Sequence, residues 1–366
     1  MGTGARSAVF PSALVLFVAM TLTMTLSIPL AAWGCGSDGS SPAAGGEGGT
    51  ALGPGDEGGP GSEGGPGSEG GPIGEGPDGA SPDGTVTAPT CTGKLGAPGD
   101  RTVMLTAGGK ARTFDLHVPA TYDATRGTPL VFLFHGYTMT PAQIEAATHF
   151  AATADALGLI VAFPAGIGQS FNAGDCCGQA VSDPDDDVGF TRAMITSIGG
   201  EYCLDAKRTY SAGFSNGGFF SYYLACELSD MIAAVAAVSG GLRIDASACK
   251  PKRPVPLLHV HGTNDALVPF NGGGLGNAQP VSVSIDAFRT LNACAPGAGT
   301  VVYTKDDVSC TTWGGCTAGA DVELCTVTGG GHQWPGGDQL PYGPALSANL
   351  DTSKTVADFF LAHPMP

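Results

Sequence analysis

A chain of 366 residues with 42% hydrophobic content can bury a sizeable core, but 59 glycines and a formal net charge of −17 are spread unevenly along it. Nine acids and no base lie between residues 36 and 90, and Arg6 is the only base before residue 91, which leaves a net charge of about −9 for residues 91–366. No basic patch exists to neutralise phosphates, so the composition argues against nucleic-acid binding.

Residues 8–32 are nearly free of charge and read as part of an export signal spanning residues 1–35. The apolar run exceeds an ordinary signal core, so a retained membrane anchor is a second reading. Ala32-Trp33-Gly34-Cys35 places small residues one and three positions before Cys35. That fits signal cleavage, and it is similar to the lipid-attachment cysteine of bacterial lipoproteins, through which Cys35 would tether the chain to a membrane. Residues 36–90 are Gly, Pro, Ser and acid, with the repeat GPGSEGGPGSEGGP. Such a stretch cannot offset its ordering entropy and is expected to be a disordered linker, with an end-to-end distance of roughly 40 Å. Past Cys35 the chain carries ten further cysteines, an even number in an exported chain, which read as disulfides. Their connectivity stays open, although Cys294, Cys310, Cys316 and Cys325 are close enough in sequence to pair among themselves. The protein is expected outside the cell or anchored at its surface.

Residues 91–366 have the texture of one globular domain. Thr113 to Val118 alternates as a half-buried strand does, and Pro129 to Phe134 (PLVFLF) is a continuous apolar run, typical of a strand buried on both faces. His135-Gly136-Tyr137 follows, then Thr140-Pro141, a hydroxyl cap with proline in the first turn of a helix reaching Gly158. Leu159 to Phe163 is the next strand and Phe171 to Gly178 a loop. Asp185-Asp186-Asp187 stands before a helix over Val188 to Ile198, where an acid run is most simply a cap and dipole partner. Further strands are expected at the start of TYSAGFSNGGFFS (209–221), at Ala233 to Val238, at Pro256 to His261 and at Asp321 to Thr328. Strands alternating with helices imply an α/β domain with a mostly parallel sheet and helices on both faces, whose sites lie at the carboxyl ends of strands.

Gly213-Phe214-Ser215-Asn216-Gly217, between a strand and a helix, has the G-x-S-x-G form of a nucleophile elbow. The pentapeptide is a weak signal in a glycine-rich chain, and position strengthens it. Asp265 follows one strand end and His332 another, so Ser215, Asp265 and His332 run in the order nucleophile, acid, histidine expected of an α/β-hydrolase. The oxyanion would be held by the backbone N–H groups of Asn216 and Tyr137, with His135 steadying the latter loop. His259 and His261 share one face of a strand, and a buried, hydrogen-bonded role is preferred to metal ligation. Trp334 is expected to form an aromatic wall for the substrate, with packing beneath the active-site loop as the other reading.

HGYTMTP, FNAGDCCG, DDVGF, GFSNGG, LACE, PVPLLHVHGTNDALVP and GGGHQWPGG occur in that order. Together they resemble the secreted feruloyl esterases and polyhydroxybutyrate-depolymerase-like esterases, α/β-hydrolases grouped with the carbohydrate esterases. The cysteine-rich segment from Cys294 to Cys325 tilts the likeness toward feruloyl esterases. Tyr137 stands where many relatives have cysteine. The resemblance implies a catalytic triad of Ser215, Asp265 and His332 and a monomer that needs neither cofactor nor metal. It also implies an ester substrate, either feruloylated plant polysaccharide or a polyester such as polyhydroxybutyrate. A surface-tethered binding protein on an inactive hydrolase scaffold is the reading from another class.

Overall fold

The computed structural model describes residues 91–366, together with Met1; the expected signal, Cys35 and the linker lie outside the described residues. The backbone forms β1 (Gly99–Ala107), β2 (Lys110–Val118), β3 (Thr128–Phe134), α1 (Pro141–Thr148), α2 (Phe150–Leu157), β4 (Ile160–Pro164), α3 (Gln179–Ser182) and α4 (Asp187–Glu201). It continues through β5 (Leu204–Phe214), α5 (Asn216–Glu227), β6 (Val235–Val238), β7 (Leu257–Gly262), α6 (Val281–Leu291), β8 (Thr300–Lys305), β9 (Val308–Trp313), β10 (Val322–Val327) and α7 (Thr352–Ala362). All ten strands join one sheet in the order β1-β2-β4-β3-β5-β6-β7-β10-β9-β8. From β4 to β10 neighbouring strands are parallel, and antiparallel hairpins β1–β2 and β9–β8 close the two edges.

Alternation along each central strand splits the core in two. Leu130, Phe132 and Phe134 of β3 pack on one side with Phe190 and Met194 of α4, Phe219 and Phe220 of α5, and Ile285 of α6. Val131 and Leu133 face the other side, against Ile144 of α1, Phe150 of α2 and Phe360 of α7. Side chains of a strand point alternately to opposite faces, so a strand covered by helices on both sides must be apolar throughout. Every residue of β3 is buried. This is the mostly parallel sheet with helices on both faces that the alternating pattern implies.

Two local expectations change. The helix from Thr140 starts as expected, with the Thr140 hydroxyl and the Gln143 side chain forming a reciprocal capping box. It is nevertheless two helices, broken where His149 takes a left-handed φ of 53°. The acid run behaves as a cap: Asp186 Oδ1 accepts the Gly189 N–H at 2.6 Å. Its neighbour Asp187 does more, forming a buried ion pair with Arg112 at 2.6 Å and accepting the Asn172 N–H at 2.7 Å.

All ten cysteines of the described domain pair, as Cys91–Cys203, Cys176–Cys177, Cys226–Cys249, Cys294–Cys316 and Cys310–Cys325. The last four in sequence do pair among themselves. Among the described residues no helix is long and apolar enough to cross a membrane.

Candidate active site

Ser215 sits between the last residue of β5 and the first of α5 with φ 54° and ψ −115°, a conformation costly for any residue bearing a side chain. Neighbouring glycines make the turn feasible. A Cβ on Gly213 would overlap the Gly217 backbone, and one on Gly217 would overlap the Phe134 carbonyl. The turn is then pinned on both sides, as Ser215 N–H donates to Val238 O at 2.8 Å and Phe219 N–H donates to Ser215 O at 2.9 Å.

Asp265 and His332 come from the loops after β7 and β10, which pair as parallel neighbours. His332 Nδ1–H donates to Asp265 Oδ2 at 2.7 Å, with both residues buried. Asp265 Oδ1 accepts the N–H groups of Leu267 and Val268 at 2.9 and 2.8 Å. Burial works against ionising Asp265, but hydrogen bonds from His261 and His332 outweigh it and hold the carboxyl well below the usual carboxylate range. The acid is therefore a fixed anion behind the imidazole. His332 itself packs on the ring of Phe214, the residue before Ser215, with centroids 4.8 Å apart. Among the described residues the side-chain hydrogen bond of His332 is the one to Asp265, and none joins it to Ser215 Oγ.

The loop carrying Tyr137 runs directly over the serine: a Cβ on Gly136 would stand 3.4 Å from Ser215 Cβ. His135 holds this loop. Its Nδ1–H donates to Gly136 O at 2.8 Å and its Nε2 accepts the Gly166 N–H at 3.1 Å, which requires a neutral ring. Burial pulls the His135 pKa down to about 4, against the raising effect of the Gly136 bond. Among the described residues, neither Tyr137 N–H nor Asn216 N–H carries an internal hydrogen bond.

Sequence reasoning missed several residues around this centre. The Asn216 side chain accepts the Phe171 N–H at 2.8 Å and donates to Phe171 O and Cys176 O at 3.1 and 3.2 Å. It thereby staples the loop bearing the Cys176–Cys177 pair to the elbow. Tyr342 stands edge-on to His332 at 5.7 Å, on a loop held by buried Gln333, whose amide bonds Leu340 and Gly343. The Asn216 contacts could not be found from spacing because they join distant loops, and those around Tyr342 depend on how the long loop between β10 and α7 folds on itself. His259 and His261 take the hydrogen-bonded role expected of them, with ring nitrogens committed to Tyr222, to each other and to Val268 O.

Trp334 requires a correction. It is fully buried, and its indole N–H donates to Ser353 Oγ at 3.1 Å. The ring belongs to the core between the sheet and α7, so it forms no wall for a substrate. A buried tryptophan needs a partner for its single donor, and Ser353 supplies it from below the site.

A cavity of about 450 Å³ lies between the segment at Asp175, the segment following Gly240 and the loop before α6, with Arg243, Asp245, Asn277 and Gln279 in its lining beside apolar Leu242, Ile244, Ala246 and Val283. Asp175 precedes Cys176, whose carbonyl holds Asn216. Leu242, also in the lining, lies two residues beyond Gly240, where a Cβ would stand 2.6 Å from Ser215 O, so the cavity is linked to the elbow through the chain. A slightly larger cavity, about 480 Å³, lies under Lys94 and Tyr202 at the amino end of β5, the wrong end of the sheet for this chemistry.

The family model described as Phospholipase/Carboxylesterase matches residues 192–281, the stretch holding the elbow and Asp265. Feruloyl esterase B of Piromyces equi is 35% identical over 228 residues, which are 58% of this chain; the chain spans only 41% of that relative's length. The putative esterase NocK of Nocardia uniformis subsp. tsuyamanensis is 31% identical over 276 residues, covering 69% of this chain and 80% of that relative. Among solved structures, an acetyl xylan esterase from Aspergillus awamori superposes with a TM-score of 0.50 at 15% identity, over 64% of this chain and 94% of that one, a likeness of fold. With 80% of NocK matched at 31% identity, and the sheet order described above, the chain belongs to the esterase family that includes NocK, carboxylic ester hydrolases of the α/β-hydrolase fold.

Proposed function

We propose that this protein is an exported serine esterase that releases hydroxycinnamoyl groups such as ferulate from plant cell-wall polysaccharide. The observation that carries the reaction type is the buried Asp265–His332 hydrogen bond, with His332 packed on Phe214, the residue before a serine on a strained turn. In the proposed cycle Ser215 Oγ attacks the ester carbonyl while His332 Nε2 takes its proton. The C–O bond to the sugar breaks, and that proton passes to the departing alkoxide. Water then gives a proton to His332 and its oxygen to the acyl carbon, which frees the acid and restores the serine. Asp265 stabilises the imidazolium. The N–H groups of Asn216 and Tyr137 take the oxyanion, each such donor being worth about 3 kcal/mol of barrier.

The substrate class is supported by the named activity of the Piromyces relative, and the cavity lined by Arg243 and Gln279 is the proposed seat of the sugar. Its acids, amides and guanidinium suit the hydroxyls of a sugar better than the apolar surface of a polyester. Five disulfides fit an oxidising compartment and so an exported protein.

The deciding assay offers the enzyme and Ser215→Ala three substrates: methyl ferulate, feruloylated arabinoxylan and polyhydroxybutyrate film. Ferulate release from the first two, absent in Ser215→Ala, is the expected outcome. Release from film alone would replace this substrate by a polyester, and failure of a fluorophosphonate probe to label Ser215 would leave a binding protein. Gln279→Ala is expected to raise KM for a feruloylated arabino-oligosaccharide about fivefold, the worth of one hydrogen bond, while leaving methyl ferulate unchanged.

A further inference from the structure

Behind the Asp265–His332 pair the polar chain continues inward through three fully buried side chains. The Tyr222 hydroxyl on α5 is 2.7 Å from His259 Nδ1, and His259 Nε2 is 2.9 Å from His261 Nδ1. His261 Nε2 is 2.8 Å from Val268 O and 3.4 Å from Asp265 Oδ2. The direction of donation is set at that last end. A carbonyl and a carboxylate only accept, so the His261 proton sits on Nε2. His261 Nδ1 must then accept, which places the His259 proton on Nε2 and leaves Nδ1 to accept from Tyr222. The reversed string would aim a lone pair of His261 at two oxygens. Burial keeps His259 neutral, with His261 adding to the effect, and keeps the Tyr222 proton in place.

Apolar side chains would fill these positions on β7 without the desolvation cost of a buried polar string. The string ends beside Asp265, the carboxylate that accepts the His332 N–H. We infer that His261, oriented by His259 and Tyr222, is a positioning residue for Asp265 and His332, a role that rests on the nucleophile, base and acid proposed above. Its N–H, bonded to Val268 O, also stands 3.4 Å from Oδ2 and draws off part of the charge of a carboxylate whose rotation is set by Leu267, Val268 and His332. Less charge then remains to stabilise the His332 imidazolium, so loss of the donor strengthens the hold of His332 on its proton. The titratable groups facing His332 are Asp265 and Tyr342, and those facing His261 are His259 and Asp265, with the ring of Phe270 closing another side.

The test measures kcat, KM, the pH profile of kcat/KM and Tm with p-nitrophenyl acetate, an activated ester independent of the natural acyl group. His261→Leu is expected to lower kcat about tenfold with KM little changed. Its acid limb should move up by about half a pH unit. Tyr222→Phe, which removes one oxygen three links from Asp265, should shift the limb the same way by less. His261→Gln, with an amide N–H near the Nε2 position, should recover part of both losses. Ser211→Ala breaks another buried hydrogen bond, to Ser221 at 2.9 Å, and should lower Tm with the acid limb in place. Should His261→Leu fail to fold, Tyr222→Phe decides. If Ser215→Ala is inactive but Tyr222→Phe and His261→Gln keep the wild-type limb, with losses that merely follow Tm, His261 is a core residue and the inference is wrong. If Ser215→Ala is as active as the wild type, the proposed nucleophile is wrong and the inference falls with it.

Discussion

Trp334 and His332 are two positions apart, yet one faces the serine's neighbours and the other is the largest fully buried side chain of the domain. Proximity in sequence to a catalytic histidine suggested a shared surface. The loop instead sends the indole down to Ser353, whose own hydroxyl donates to Thr148 O at 2.6 Å, and so ties the loop to α7 and the end of α1. Trp334→Ala should therefore act on stability, costing about 3–5 kcal/mol by urea unfolding, with KM for methyl ferulate unchanged in the folded fraction. A rise in KM without a loss of stability would restore the wall. Ser215, Asp265 and His332, by contrast, could be put forward from the sequence because each stands just past a strand end, and the acid and the histidine do meet at 2.7 Å. Asn216 was legible only for its backbone, since the service of its side chain to Phe171 and Cys176 depends on a loop forty residues earlier folding back onto the elbow.

At the scale of elements, the strands buried on both faces were the readable ones, because continuous burial leaves a continuous apolar run. β8 is exposed at all six positions and β1 at most of its nine, so neither shows a hydrophobic period, and both escaped notice. The break at His149 carried no glycine or proline to announce it, histidine being among the residues that tolerate the left-handed region. The loops after β3 and β4 are joined by His135, and this joint should respond to pH. In the folded chain His135 is held neutral to about pH 4, whereas unfolded it takes a proton near 6.5. The unfolded state therefore binds more protons between those values, and stability falls as pH drops from about 6.5 to 4, by as much as about 3 kcal/mol from this residue. Buried His259 adds to the same trend. Urea unfolding at pH 7 and at pH 4.5 should show the loss in the wild type and a smaller loss in His135→Gln; equal losses would discharge His135 from this role.

For the whole molecule, the disulfides show how much remains undetermined by counting cysteines. An even number of cysteines in residues 91–366 called for pairing, but only the fold brings Cys226, at the end of α5, to Cys249 in the segment leading to β7. The bond closes a separation of 23 residues, and its removal in Cys226→Ala/Cys249→Ala should cost about 3 kcal/mol, read as a lower urea midpoint with esterase activity retained in the folded fraction. The sequence by itself determined the fold class, the position of each strand buried on both faces and the residues able to act as nucleophile, acid and base. Local stereochemistry and the hydrophobic period suffice for those, since a G-x-S-x-G turn and an apolar strand state their requirements within a few residues. Only the tertiary structure decided that Trp334 belongs to the core, that Asn216 staples a distant loop and that Asp265 is met from behind by His261. Those outcomes depend on which side chains different loops bring within hydrogen-bond reach, a matter of packing that no local pattern encodes.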